Sequence, residues 1–257
     1  MHAKRLGLFA LSALLLIAIL LPGQAQPAYA IQNATVGIYN GTGTWADGIT
    51  AIENFSDHEG IGWTTVSAND INTISNLSSY ITLLWIPGGY AANYNSDITT
   101  SGDSHIRSFV NGGGKIIGTC AGEYFLADRI AWEGVNCNYP MNLFKGRING
   151  SLHDIIPWAG YTNTTIDLDA NNPINSGFPS SLTMVYYGGG DIWPYTGQTV
   201  SWVGSYNVTN TKGIAAFSYG QGTALIMGPH PEIGLIRMEL GIRQAVPALN
   251  GPGWPAR

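Results

Sequence analysis

Two short stretches carry side chains that could do covalent chemistry together. The first is Gly118-Thr119-Cys120-Ala121-Gly122. It follows the apolar run Lys115-Ile116-Ile117 and precedes a helix-like segment, Glu123 to Asp128. This is the G-x-S-x-G elbow pattern with sulfur in place of oxygen: a strand, a sharp turn and a helix, with the nucleophile at the turn. At such a turn the sulfur points out of the sheet edge and the helix N-terminus lies beneath it, which favours a thiolate. The second stretch is Gly228-Pro229-His230-Pro231-Glu232, directly after the apolar run Ala224 to Met227. In an extended segment, i and i+2 side chains share one side. Glu232 can therefore orient the His230 imidazole while its other ring nitrogen faces Cys120. A nucleophile, a base and an orienting acid are what covalent acyl transfer requires.

Other residues could complete such a site. Gly88 and Gly89 end an apolar run. A backbone N–H there, paired with that of Ala121, can form an oxyanion hole. Glu123 is the acid nearest the nucleophile in sequence. It either binds a substrate amine or sits at a helix N-terminus where carboxylates are favoured, and the second reading is preferred. Tyr90 and Asp191 are further pocket candidates. His58, His105 and His153 have no metal-ligand spacing with cysteines or acids, so no metal site is expected. No G-x-G-x-x-G or P-loop pattern occurs, so no nucleotide cofactor is expected.

The elements that must hold these residues follow from the apolar periodicity. Short strands are expected at Thr35–Tyr39, Trp63–Val66, Ile81–Ile86 and Lys115–Gly118. Helices are expected at Asp47–Phe55, at Ala68–Leu77 and from near Ser104 to Gly112. This alternation predicts a mostly parallel central sheet with helices on both faces. Beyond about residue 135 the helical period fades. Short β-rich runs follow at Thr164–Leu168, Thr183–Tyr187, Val200–Tyr206, Gly213–Phe217 and Thr223–Met227, with a tight turn at Gly188-Gly189-Gly190. A last helix is expected over Ile233–Ala248. There is no internal repeat and no linker, so one domain is the simplest organisation.

Composition bounds the setting. The chain has 257 residues and a formal net charge of -5, with only 11% charged residues. No basic cluster occurs beyond the N-terminus, so nucleic acid is not an expected partner. Apolar residues make up 45%, with 8 Trp and 13 Tyr, which predicts a packed domain. Lys4 and Arg5 precede an almost wholly apolar segment, Leu6 to Leu21. Pro22 and Gly23 break it, and Ala28-Tyr29-Ala30 fits a cleavage site. Residues 1–30 thus read as a signal peptide, and residues 31–257 as the exported domain, secreted or held in the cell envelope. Contact with a membrane is expected only through that segment, if it stays uncleaved. Sequons at Asn33, Asn40, Asn54, Asn76, Asn149, Asn163 and Asn207 agree with an exported glycoprotein. The two cysteines could form a disulfide in that setting. Because Cys120 sits in a motif that needs a free thiolate, it is expected to be unpaired, with Cys137 in a polar loop over Gly134–Pro140.

Together these residues resemble the class I glutamine amidotransferase-like superfamily and, within it, the N-terminal domain family of biotin-protein ligases. The resemblance runs from about Ala34 to Leu240. It rests on Val36-Gly37-Ile38-Tyr39-Asn40-Gly41, Pro87-Gly88-Gly89, Ile106 through Gly114, the Gly118–Tyr124 elbow, the Tyr187–Gly190 turn and His230-Pro231-Glu232. It implies a flavodoxin-like α/β sandwich, a triad of Cys120, His230 and Glu232, and oxyanion donors at Gly89 and Ala121. No synthetase or biotin-ligase catalytic domain is expected beside it, so biotin ligation is not implied. The expected activity is cleavage of an amide or other C–N bond in a small-molecule or peptide substrate. The alternative is a cell-envelope binding module that keeps the fold without turnover.

Overall fold

The computed structural model describes residues 35–233. The proposed signal segment, the Asn33 sequon and all but the first residue of the helix expected at Ile233–Ala248 lie outside them. No helix among the described residues is long and apolar enough to cross a membrane.

The first half of the chain alternates strand and helix. Strands β1 (Thr35–Tyr39), β2 (Gly62–Val66), β3 (Leu83–Ile86) and β4 (Lys115–Thr119) are joined through helices α1 (Ala46–His58), α2 (Ala68–Thr73), α3 (Ala91–Asp97) and α4 (Thr100–Asn111). Helix α1 forms because Ile49, Ile52 and Phe55 fall on one buried stripe. Helix α2 starts at a capping box in which Ser67 and Asp70 satisfy each other's backbone N–H groups. Its expected extension to Leu77 fails, and the chain instead makes a separate 3-10 turn at Leu77–Ser79. Helix α4 begins earlier than expected because Thr99 caps it, accepting from the Gly102 N–H at 3.3 Å.

The large sheet has nine strands in the order β2-β1-β3-β4-β13-β12-β11-β8-β9, where β8 is Thr162–Leu168, β9 Ser181–Tyr186, β11 Ser201–Tyr206, β12 Lys212–Tyr219 and β13 Gly222–Met227. From β2 to β13 every pairing is parallel; from β13 to β9 every pairing is antiparallel. Successive residues of a strand face opposite sides. Trp85, Ile117, Leu225 and Met227 join α1 in one core, while Leu84, Ile86, Ile116 and Ile226 join α2, α3 and α4 in the other. Helices therefore cover both faces, as expected of a flavodoxin-like α/β sandwich.

The segment after the elbow departs from expectation. The helix read at Glu123–Asp128 is α5, Ala121–Leu126, and it runs straight into a strand. Strands β5 (Ala127–Trp132), β6 (Val135–Asn138), β7 (Phe144–Gly150) and β10 (Asp191–Pro194) form a second sheet in the order β10-β7-β5-β6. Ile130, Phe144, Ile148 and Ile192 bury its inner face against the large sheet. Cys137 consequently lies on β6 rather than in a loop, half-buried, and both cysteines are free.

Candidate functional site

The site forms at the carboxyl ends of the parallel strands, where open α/β sheets bind ligands. Cys120 sits between β4 and α5 with φ 51 and ψ -106, a left-handed backbone that a non-glycine residue adopts only under constraint. Its N–H donates to the Met227 carbonyl at 2.7 Å, which locks the turn to β13. The flanking glycines have a steric cause. A side chain at Gly118 would lie 2.6 Å from the Gly122 carbonyl oxygen, and one at Gly122 would strike the Ile86 carbonyl. The turn is tight enough that both positions must lack a Cβ. The Cys120 S–H donates to the Tyr187 carbonyl at 3.2 Å.

His230 follows β13 and is held by its own N–H, which donates to the Val185 carbonyl at 2.7 Å. Its Nδ1 lies 2.7 Å from the Glu232 carboxylate, and both side chains are fully buried. The i, i+2 spacing read from the sequence thus places the pair in contact. Burial works against a charge on the ring. The carboxylate of Glu232 and the sulfur of Cys120 outweigh it, so the imidazole is pushed up to about 10. The ring's other nitrogen, Nε2, is buried and makes no well-formed hydrogen bond among the described residues, but Cys120 lies close enough for its sulfur to act on the ring.

Gly88 packs directly on this ring: a Cβ there would lie 2.5 Å from His230 Cε1. The Gly88 carbonyl accepts from the Trp45 N–H and the Tyr94 hydroxyl, each at 2.8 Å. In a trans peptide the next N–H points the opposite way. The Gly89 N–H therefore faces away from Trp45 and Tyr94, and it finds no acceptor among the described residues. The Ala121 N–H, at the first position of α5, likewise has no intrahelical partner.

The other candidates fall elsewhere. Glu123 is fully buried and accepts from the Gly190 N–H at 3.2 Å. Burial raises its carboxyl well above the usual carboxylate range, and its contact is with the Gly190 backbone rather than with an open pocket. Asp191 accepts from the Trp193 indole at 2.7 Å in the small sheet. Tyr90 precedes α3, mostly exposed, with its N–H on the Gly43 carbonyl. No metal-binding group of His, Cys, Asp or Glu occurs among the described residues.

The site residues that the motifs did not single out are aromatic. Trp45 meets the His230 ring edge-on at 5.0 Å between centroids, and the Tyr187 ring at 5.6 Å. The only sequence signal for them was position: each lies in a loop directly after a glycine-rich turn or a strand.

Comparison with known proteins identifies the family and the fold. The family model described as biotin-protein ligase, N terminal, matches residues 34–247. A solved glutamine amidotransferase is similar with a TM-score of 0.56 at 16% identity, over 81% of this chain and 98% of its own. PurLQS from Thermotoga maritima is similar with a TM-score of 0.57 at 14% identity, over 82% and 97% of the two chains. A putative GMP synthase subunit from Thermoplasma acidophilum gives 0.55 at 13% identity, over 82% and 94%. No sequence relative is found among curated proteins.

Proposed function

The chain belongs to the biotin-protein ligase N-terminal family, and from that premise we propose that it is an exported, cysteine-dependent amidohydrolase. The observation that carries this reading is the buried His230–Glu232 contact, together with the constrained elbow that carries Cys120. The glutamine amidotransferase fold of its structural relatives supports chemistry at a C–N bond.

In this mechanism the Cys120 proton passes to His230 Nε2, whose imidazolium Glu232 stabilises through Nδ1. The thiolate attacks the amide carbon. The oxygen of the tetrahedral intermediate takes the Gly89 and Ala121 N–H groups, which are free to donate. His230 gives its proton to the leaving nitrogen, and the C–N bond breaks to leave a thioester. Water then loses a proton to Nε2 and attacks the thioester; the acid leaves and the thiol is restored. The net reaction is amide plus water to carboxylic acid plus amine.

Export is the second part of the proposal. Of the sequon asparagines, Asn40, Asn54, Asn76, Asn163 and Asn207 are exposed, where an enzyme of the export route could reach them. The test is a panel of primary and secondary amides incubated with wild type and Cys120→Ala. Thiol-dependent release of amine is expected from wild type alone. Release that persists in Cys120→Ala, or release from neither protein across the panel, would overturn the assignment. Sequencing the N-terminus of the secreted protein is expected to start at Ile31.

A further inference from the structure

The Tyr187 carbonyl receives the Cys120 S–H, and its ring is the hub of an aromatic wall beside the thiol. Trp158 stacks on that ring at 5.5 Å and 25°. Tyr161 tilts against it at 5.8 Å, and Trp45 meets it edge-on at 5.6 Å. Trp132 in turn meets Trp158 edge-on at 5.0 Å. These rings come from different parts of the chain: the loop before α1, the end of β5, the loop between β7 and β8, and the end of β9.

The wall is neither core nor scattered surface. Trp45, Trp132, Trp158 and Tyr187 are half-buried, and Tyr161 is 72% exposed. The core rings Tyr39, Tyr94, Tyr186 and Tyr206 are fully buried. A cluster of large rings left open to solvent beside a nucleophile marks a binding surface. The wall contains no charged side chain. Glu123, the acid nearest Cys120 in sequence, is fully buried. A zwitterionic amino acid such as glutamine carries two charges that none of these five rings can pair. A sugar would need polar side chains around its hydroxyls. Glu133, next to Trp132 in the chain, already holds the Ser151 hydroxyl at 2.6 Å and His153 at 2.9 Å.

Resting on the hydrolase reading and deepening it, we propose that the wall is the acyl-side subsite and that the substrate is a neutral amide carrying a planar apolar ring close to its carbonyl. The ring lies against Trp158 and Tyr187, which sets the carbonyl beside Cys120. Trp45 closes the side next to His230.

The experiment uses the full chain with Cys120→Ala, so that binding is read without turnover. Phenylacetamide, acetamide, L-glutamine and N-acetylglucosamine are titrated by tryptophan fluorescence and calorimetry. Phenylacetamide is expected to bind at least about tenfold tighter than the other three, as befits stacking on an open ring. Trp158→Ala is expected to remove that preference, and Trp158→Phe to keep most of it, which separates loss of stacking from loss of fold. Equal binding of acetamide or glutamine, binding of the sugar alone, or indifference to Trp158→Ala would overturn the proposal. The two readings fail separately. Phenylacetamide that binds Cys120→Ala, with no amide of the panel cleaved by wild type, leaves the subsite and removes the hydrolase. Glutamine cleaved with no ring preference does the reverse.

Discussion

The two halves of the large sheet play different parts. The parallel half, β2 to β13, presents backbone: a constrained elbow at Cys120, a glycine pair at Gly88-Gly89 and the buried His230–Glu232 contact. The antiparallel half brings β9 back over the end of β13, where Val185 pairs with His230, and so lays Tyr187 across the thiol. The first half fixes reacting groups by sterics and buried charge. The second half, with the loop carrying Trp158, supplies an open apolar wall. On the proposed reading, reaction chemistry and ligand choice are carried by different strands, and substitutions can separate them.

The largest effect is expected from the parallel half. Replacing Cys120 by Ala removes the nucleophile and should lower amide turnover by at least about a thousandfold. Thermal unfolding should stay close to wild type, because the left-handed turn is held by backbone contacts. Next comes Gly88→Ala. Its methyl would sit on the His230 ring, and a displacement of about 1 Å at a reacting group costs on the order of a hundredfold in rate. A kinetic assay showing Gly88→Ala near wild type would break the claim that this glycine shapes the site.

Glu232→Ala leaves the buried His230 Nδ1 without its partner, a loss of about 1–3 kcal/mol, more if the ring stays charged. The pair's effect on stability has a definite sign. His230 is raised from 6.5 to about 10, so the stability it contributes is fully present below 6.5 and is lost as pH rises through 10. Denaturant titrations across that window should show the decline in wild type and a flatter profile in Glu232→Ala.

Glu123 gives a smaller effect of opposite use. Its carboxyl is raised from 4.5 by burial, so wild-type stability should fall as pH climbs above 4.5, because only the unfolded chain ionises there. Glu123→Gln keeps an acceptor for Gly190 and cannot ionise. It should match wild type near pH 4 and exceed it at neutral pH. The smallest effect belongs to the second sheet. Cys137→Ser on β6 should change stability by no more than about 0.5 kcal/mol and leave turnover unaltered.

Legibility in the sequence follows the same division. The inner strands of the parallel half were readable because they are buried on both faces and write continuous apolar runs, such as Leu83–Ile86. The elbow and the His-Pro-Glu pair were readable because their geometry depends on neighbours in sequence. The small sheet was not. Its strands read Val-Asn-Cys-Asn and Phe-Lys-Gly-Arg-Ile-Asn-Gly, and each inner residue gains its burial from the other sheet. Helix α3, Ala-Ala-Asn-Tyr-Asn-Ser-Asp, has one buried anchor, Tyr94, and so no apolar period to find. The aromatic wall escaped for a related reason: Trp45, Trp132, Trp158 and Tyr187 meet only when four distant segments close on one another.

The most direct test is the rate at which iodoacetamide alkylates Cys120, followed by peptide mapping beside Cys137. If His230, backed by Glu232, takes the thiol proton, Cys120 should react near neutral pH at least about tenfold faster than Cys137. His230→Ala should remove most of that advantage, and Glu232→Gln should remove less. Alkylation of Cys120 no faster than that of Cys137, and unchanged in His230→Ala, would contradict the triad and leave a binding module in its place.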